Sequence, residues 1–341
     1  MKRYLTFDDV LIVPKFSNIS TRENCYTHTD LGKTETSARV LELPIISANM
    51  DTITGTKMAK AMSENGCIGA LHRFCTVEEN VQMFQAYKHC FVSFGASDKE
   101  VDRAMALYES GAYNFVLDVA HGASVNALNA YNEFRKRTKY DSNIHVMVGN
   151  FATAESIHQF AAHTVIRPDS IKVGIGGGSM CTTRIVTGVG IPTLGSVMDC
   201  VTTGYHIIAD GGIRNSGDVA KCFMAGAKAV MIGSMLAGTD ETPGNVEMYN
   251  DTPHKVYRGS ASKESYEVQN KIAKHRTAEG VSTYVRCKGS IVPILDEIRA
   301  GLLSCMSYVN ANTLSELRKN GEFIEITTNG MRESHAHGKR L

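Results

Sequence analysis

Eight short runs of apolar and β-branched residues recur between residues 44 and 233, and stretches with helical periodicity separate them. The runs are PIISANM (44–50), CIGAL (67–71), FVSFG (91–95), NFVLDV (114–119), HVMVG (145–149), SIKVG (170–174), HIIAD (206–210) and AVMIG (229–233). Between them lie GTKMAKAMSEN, TVEENVQMFQAYKH, SDKEVDRAMALYES and SGDVAKCFMAGA, whose Ser, Thr or Asp starts read as helix N-caps. Strands that are apolar along their length suit burial on both faces, the condition of a parallel sheet covered by helices. Successive strand–helix units therefore predict an α/β fold, a TIM (β/α)8 barrel in preference to a doubly wound sheet, closing near Gly233.

The 341 residues, 43% of them apolar, hold ample material for such a core. No second periodic domain, short repeat or low-complexity linker interrupts the pattern, so a single catalytic barrel over 1–341 is expected. Residues 239–290 are polar and poor in strand signals, and are predicted to form a mobile active-site flap. The tail, about 330–341, is polar; its His335 and His337 read as solvated residues rather than metal ligands.

Charge and cysteine usage narrow the function classes. With 36 basic and 35 acidic residues the formal net charge is +1, which gives no electrostatic footprint for nucleic acid or an anionic membrane, so any phosphate must be held locally. The opening MKRYLTFDDV has no apolar signal core, and no apolar run is long enough to span a bilayer, so a soluble cytoplasmic protein is expected. Nine cysteines occur without a C-x-x-C pair or ligand-like spacing, which argues against a disulfide framework or a zinc site.

A barrel carries its chemistry at the carboxyl ends of its strands. The richest of these ends follows the sixth run: GIGGGSMCTTR, residues 174–184. Its glycines let backbone groups approach a ligand closely, but Ser179 stands where a G-x-G-x-x-G fingerprint needs glycine, so this is no dinucleotide loop. Cys181, followed by two hydroxyls and Arg184, is the candidate nucleophile. Cys67, Cys90, Cys200 and Cys222 sit in apolar patterns and read as small core residues.

GIGGGSMCTTR, taken with PIISANMDT, HIIADGGIRNSGDVAK and VMIGSMLAG, resembles the IMP dehydrogenase and GMP reductase family over nearly the whole chain. The resemblance implies that Cys181 attacks carbon 2 of a purine nucleotide. The resulting thioimidate is either hydrolysed, as in the dehydrogenase, or reduced after loss of ammonia, as in the reductase. Tyr257 and Glu279 are separated by RGSASKESYEVQNKIAKHRTA, residues 258–278, a short flap without an Arg-Tyr pair, which resembles the reductase. Asn49 before Met50 and Asp51, the following GTKMA and the DVAHG of 118–122 resemble it too, and HRFCTVEEN runs on without a CBS insertion. YRGSAS and IGSMLAGTDETPG look more like the dehydrogenase, and GGGS has glycine where both branches usually carry proline. The resemblance thus implies NADPH-dependent conversion of GMP to IMP and ammonia, with an IMP dehydrogenase lacking CBS domains (IMP to XMP with NAD) as the alternative.

Carried over residue by residue, the resemblance places the phosphate on Ser179, Gly212, Gly233 and Ser234, and the ribose on Asp210 beside Gly211. Gly259, Ser260, Arg276 and Gly280 match base-contacting positions, although Arg258 and Gly259 depart from the reductase's usual residues. Thr183 and Glu279 match the proton-handling pair that protonates the departing amine. The nicotinamide side is matched by Asp118, Val119 and Ala120. Arg73 and Ser304, Cys305, Met306 and Ser307 match more distant NADP contacts, while Arg73 reads equally as a surface charge. A potassium ion on carbonyls of Gly176, Gly178 and Cys181, and a homotetramer, are likewise implied. Two other classes stay open: a catalytically silent phosphate-binding barrel, and a phosphate-binding barrel that uses flavin.

Overall fold

The computed structural model describes residues 1–32, 40–268 and 277–334. Eight parallel strands close on themselves: β1 (Ile45–Ser47), β2 (Ile68–Leu71), β3 (Cys90–Phe94), β4 (Asn114–Asp118), β5 (His145–Phe151), β6 (Ser170–Val173), β7 (His206–Asp210) and β8 (Ala229–Ile232). Closure comes from β8 pairing with β1 in the register Val230 to Ile45, Met231 to Ile46 and Ile232 to Ser47. Every predicted run contributes its strand, with ends displaced by no more than a few residues.

The helices α1 (Thr56–Glu64), α2 (Val77–Ala86), α3 (Asp98–Glu109), α4 (Val125–Arg137), α5 (Ala154–Ala161), α6 (Thr193–Cys200), α7 (Ser216–Met224) and α8 (Val292–Tyr308) surround the barrel. Thr76 heads α2 in a reciprocal capping box with Glu79, and Ser124 and Thr153 cap α4 and α5 through their hydroxyls. The expected caps differ elsewhere. Asn215 rather than Ser216 caps α7, Gly55 precedes α1, and Ser97 makes no side-chain cap bond.

Two departures from a one-strand, one-helix rhythm bear on function. The glycine-rich loop that carries Cys181 and a five-residue helix, Thr183–Thr187, lie between β6 and α6. Between β8 and α8 the chain forms an antiparallel sheet of β9 (Glu247–Tyr249), β10 (Thr252–Arg258) and β11 (Ser282–Arg286). The polar composition of 239–290 hid this sheet. β9 and β10 form a tight hairpin, β10 gains its second partner, β11, across a long intervening segment, and β10 buries His254, Lys255 and Tyr257 while its other residues are less covered. At the opposite end of the chain order, Val10–Ile12 pairs antiparallel with Phe323–Glu325, joined by the Arg3–Glu325 ion pair. His335 and His337 lie outside the described residues. No helix among the described residues is long and apolar enough to cross a membrane.

Packing between sheet and helices is dense and apolar. Phe134 of α4 is fully buried, with its ring 4.7 Å from Phe115 of β4 and 5.1 Å from Phe94 of β3. Truncating it removes contacts with both strands and leaves a cavity that the barrel wall closes poorly. Phe134→Ala is expected to lower the unfolding free energy by about 3–5 kcal/mol. Val125→Ala, at an exposed position on the same helix, is expected to change it by less than ~0.5 kcal/mol. Urea titration of both variants checks the pair, and equal effects would remove the packing role given to Phe134.

Candidate active site

The carboxyl ends of the strands open into a cavity of about 430 Å³ whose wall includes Cys181, Thr183 and Glu279. Interleaved glycine loops shape its floor. Gly174 has φ +149, and a Cβ there would meet the Asp210 carbonyl at 1.8 Å; Gly212 has φ +77, and its Cβ would meet the Gly177 carbonyl at 2.7 Å. Only glycine lets the loops after β6 and β7 pass this close.

Cys181 is partly exposed, and its thiol donates to the Thr183 hydroxyl at 3.1 Å. The other candidate thiols are different. Burial pushes Cys67, Cys90 and Cys200 up to about 12 and Cys222 well above the ordinary thiol value, which keeps them protonated and inert. The Cys181 loop does not stand alone either. The Thr182 amide donates to the Glu279 carbonyl at 2.8 Å and the Val281 amide to the Met180 carbonyl at 3.0 Å, so flap and loop form a short antiparallel ladder. Gly259 and Gly280 make this approach possible, since a Cβ on either would lie 3.1 Å from the Met180 carbonyl.

Polar groups converge from four adjacent strands. Lys172 of β6, 3% exposed at its side chain, reaches Asp210 Oδ2 at 2.7 Å, Asp118 Oδ1 at 3.0 Å and Asn150 Oδ1 at 2.5 Å. Asn150 Nδ2 donates onward to Asp210 Oδ2 at 2.9 Å and to the Gly174 carbonyl at 2.7 Å. Burial works to lower the Lys172 pKa, but Asp118 and then Asp210 outweigh it and hold the ammonium above its ordinary value. Burial also works to raise Asp118, and Lys172 followed by Arg73 outweighs it, so that carboxyl sits below the usual range. By linkage, the Asp118 contribution to stability is present above its unfolded pKa of ~3.9 and lost as pH falls. That of Lys172 is present below ~10.4 and lost as pH rises.

Most of the residues singled out in the sequence meet here. Ser179, Asp210, Gly211, Gly212, Gly233, Ser234, Gly259, Ser260 and Gly280 line the cavity, as do Asp118, Val119, Ala120, Gly176 and Gly178. Ser179 and Tyr257 share a hydrogen bond of 3.1 Å between their hydroxyls, and burial raises the Tyr257 pKa. Arg73 also lines the cavity. Its side chain is only 14% exposed and donates to Glu100 and to the Asp118 carbonyl, so the surface-charge reading is corrected: burial and fixed acceptors hold it at the mouth. Ser304, Cys305, Met306 and Ser307 lie toward the end of α8 and do not line the cavity; Met306 is buried in the core. Arg276 lies outside the described residues.

Sequence reasoning missed Lys172 and the pairing role of Asn150. The signal for Lys172 was available: a lysine inside SIKV, a run otherwise suited to burial, one residue from the strand end. Sequence reasoning also missed the tie between Arg258 and Asp51, at 2.9 and 2.5 Å, which fastens β10 to the loop after β1.

Comparison with known proteins gives a consistent family picture. A family model described as the IMP dehydrogenase / GMP reductase domain matches residues 4–337. Inosine-5'-monophosphate dehydrogenase of Cryptosporidium parvum is 35% identical over 390 residues, covering 98% of this chain and 94% of that protein. The enzyme of the same name from Escherichia coli strain K12 is 41% identical over 258 residues, covering 72% of this chain and 51% of its own length. Among solved structures, GMP reductase from Trypanosoma brucei in complex with guanosine 5'-monophosphate superposes with a TM-score of 0.91 at 26% identity, covering 100% of this chain and 99% of that one.

The contrast among thiols is testable without substrate. Brief treatment of the folded protein with iodoacetamide should alkylate Cys181 well before Cys67, Cys90, Cys200 or Cys222, as read by peptide mapping. Labelling of Cys222 at the Cys181 rate would remove the basis for choosing the nucleophile.

Proposed function

The chain belongs to the IMP dehydrogenase / GMP reductase family, and within it we propose a GMP reductase that converts GMP to IMP and ammonia with NADPH. The observation that carries the reading is the grouping of Cys181, Thr183 and Glu279 on one cavity, with the thiol 3.1 Å from the Thr183 hydroxyl. Cys181 Sγ adds to carbon 2 of the purine. Thr183 and Glu279 relay a proton to the 2-amino nitrogen, so that ammonia leaves rather than an amide anion, and the purine stays on sulfur as a thioimidate. When bound, NADPH supplies the hydride that carbon 2 requires. Loss of the Cys181 thiolate from the reduced carbon then frees IMP.

The remaining residues bind and orient. Ser179, Gly212, Gly233 and Ser234 offer hydroxyls and backbone amides to the phosphate, and Asp210 accepts from ribose hydroxyls. Gly259, Ser260 and Gly280, with Arg276, take the base side. On the cofactor side the residues present fit the group: Arg73 Nε is buried with no hydrogen-bond partner among the described residues, a donor that an oxygen of a dinucleotide would satisfy. Asp118, Val119 and Ala120 would hold the nicotinamide end. Potassium belongs to the same proposal, on carbonyls of Gly176, Gly178 and Cys181; that of Gly178 already accepts the Cys181 amide at 3.0 Å and keeps a second lone pair.

The dehydrogenase reading is favoured by the names of the curated relatives. Against it stands the segment 258–278, which contains Arg258, Tyr266 and Arg276 but no adjacent Arg-Tyr dipeptide of the kind that activates water in the dehydrogenase. The shared thioimidate partitions by what reaches carbon 2 next, and without a positioned base water competes poorly with a bound hydride donor.

Purified protein given GMP and NADPH should therefore release IMP and ammonia with loss of reduced-cofactor absorbance, and given IMP and NAD should make no appreciable XMP. Steady XMP formation at a comparable rate would overturn the reductase assignment. Cys181→Ala should lower kcat by at least ~1000-fold while leaving the GMP Kd within about threefold, because binding rests on phosphate and ribose contacts.

Glu279→Gln keeps the side-chain shape and removes the exchangeable carboxyl proton. Its kcat should fall by about 100- to 10,000-fold, with ammonia release slowed and GMP binding little changed in single-turnover assays. A loss seen only in GMP affinity would make Glu279 a binding contact instead.

A further inference from the structure

The chemistry assigned to Cys181, Thr183 and Glu279 makes no use of Lys172, yet Lys172 is the cation most deeply enclosed among the groups of the cavity wall, at 3% side-chain exposure. Its three N–H donors are matched by three acceptors from three other strands: Asp118 at the end of β4, Asn150 in β5 and Asp210 at the end of β7. Stability alone does not call for such an arrangement. Well-packed apolar residues commonly replace a buried ion cluster at no cost, so the charges point to a purpose beyond folding.

We propose that Lys172 is a positioning residue shared by the two halves of the cavity. Its ammonium holds the ribose-side carboxylate of Asp210 and the nicotinamide-side carboxylate of Asp118 in one array, so that occupancy of either half is felt at the other. The inference rests on the nucleotide and cofactor reading given above. Both fixed contacts to Asp210 fall on Oδ2, from Lys172 at 2.7 Å and Asn150 at 2.9 Å, which turns Oδ1 over to a ligand. Asn150 also donates to the Gly174 carbonyl at 2.7 Å, so the array reaches the root of the nucleophile loop. Without the ammonium, two carboxylates would face one poorly hydrated space, and each would have to move or take up a proton. Lys172 acts through Asp118 and Asp210, not on the reacting atoms.

The test measures binding, with Cys181→Ala as the parent so that chemistry is silent. GMP and NADP+ are each titrated by calorimetry, alone and with the other saturating, onto the parent and onto parent carrying Lys172→Met or Lys172→Arg. In the parent, one ligand is expected to change the affinity of the other by at least about fivefold. Lys172→Met is expected to weaken both ligands by at least about tenfold and to bring the coupling ratio to one, with Lys172→Arg intermediate for both. Parent-like affinities in Lys172→Met, a loss confined to one ligand, or a retained coupling ratio would overturn the proposal. If Lys172→Met does not fold, Lys172→Arg decides: joint weakening supports the array and unchanged affinities refute it. A parent that binds IMP and NAD+ in place of GMP and NADP+ would instead sink the reductase reading, and the same cycle with those two ligands would then judge Lys172.

Discussion

Closure of the barrel between β8 and β1 is the constraint on which the rest of the molecule depends. A parallel sheet with open edges would present unpaired amides and carbonyls, and its strands, apolar on both sides, would have no covered face at the margin. Once Val230 and Ile45 are partners, all eight carboxyl ends meet at one mouth. Residues far apart in sequence then become neighbours because their strands are adjacent. The order β4, β5, β6, β7 puts Asp118, Asn150, Lys172 and Asp210 side by side.

A glycine-rich loop is a poor platform for a nucleophile, because ordering glycine costs more backbone entropy than ordering any other residue. The loop after β6 offsets that cost with partners from outside itself. Its Met180 and Thr182 are paired with Val281 and Glu279 by backbone hydrogen bonds, and Gly259 donates to Val281. The segment after β10 therefore does more than line the cavity. It supplies the ladder beside Cys181, and the same segment carries the Glu279 carboxyl, so the nucleophile and proton donor proposed above are set by one piece of secondary structure.

The parts legible in sequence are those whose signal is local. SIKV and AVMI are strands because each is a short run that a covered sheet can bury, and their ends were readable to within a few residues. Cys181 was legible because its neighbours are glycine and hydroxyl residues, unlike those of Cys67 or Cys222, and burial separates them in the same way. The flap sheet was not legible, since Thr252–Arg258 is polar and owes its strand form to Ser282–Arg286 beyond a long excursion. Lys172 was missed for a related reason. A lysine within the apolar run SIKV marked the position as unusual, but its acceptors lie on other strands, so the run alone could not say which groups it would meet. Arg73 read as a surface charge because Glu100, its acceptor, belongs to the next helix but one.

The charge pattern of the cavity also bears on how a chain of net charge +1 could hold the phosphorylated ligand proposed for it. Of the charged groups that line the cavity, Lys172 is bonded to Asp118 and Asp210 and Arg73 is paired with Glu100, so both cations of the lining already have carboxylate partners. A phosphate gains little from Lys172, whose donors are already committed to Asp118, Asn150 and Asp210. The cavity is also lined by Ser179, Gly212, Gly233 and Ser234, which bring hydroxyls and backbone amides but no formal charge. Amides of this kind bind an anion through short, oriented dipoles whose effect fades within a few ångströms. Binding by such dipoles depends on shape more than on long-range attraction, and an overall basic surface would add affinity for any polyanion without adding discrimination. Near neutrality of the chain, with hydroxyls and backbone amides gathered at one cavity, thus suits a small anionic ligand better than a polyanion.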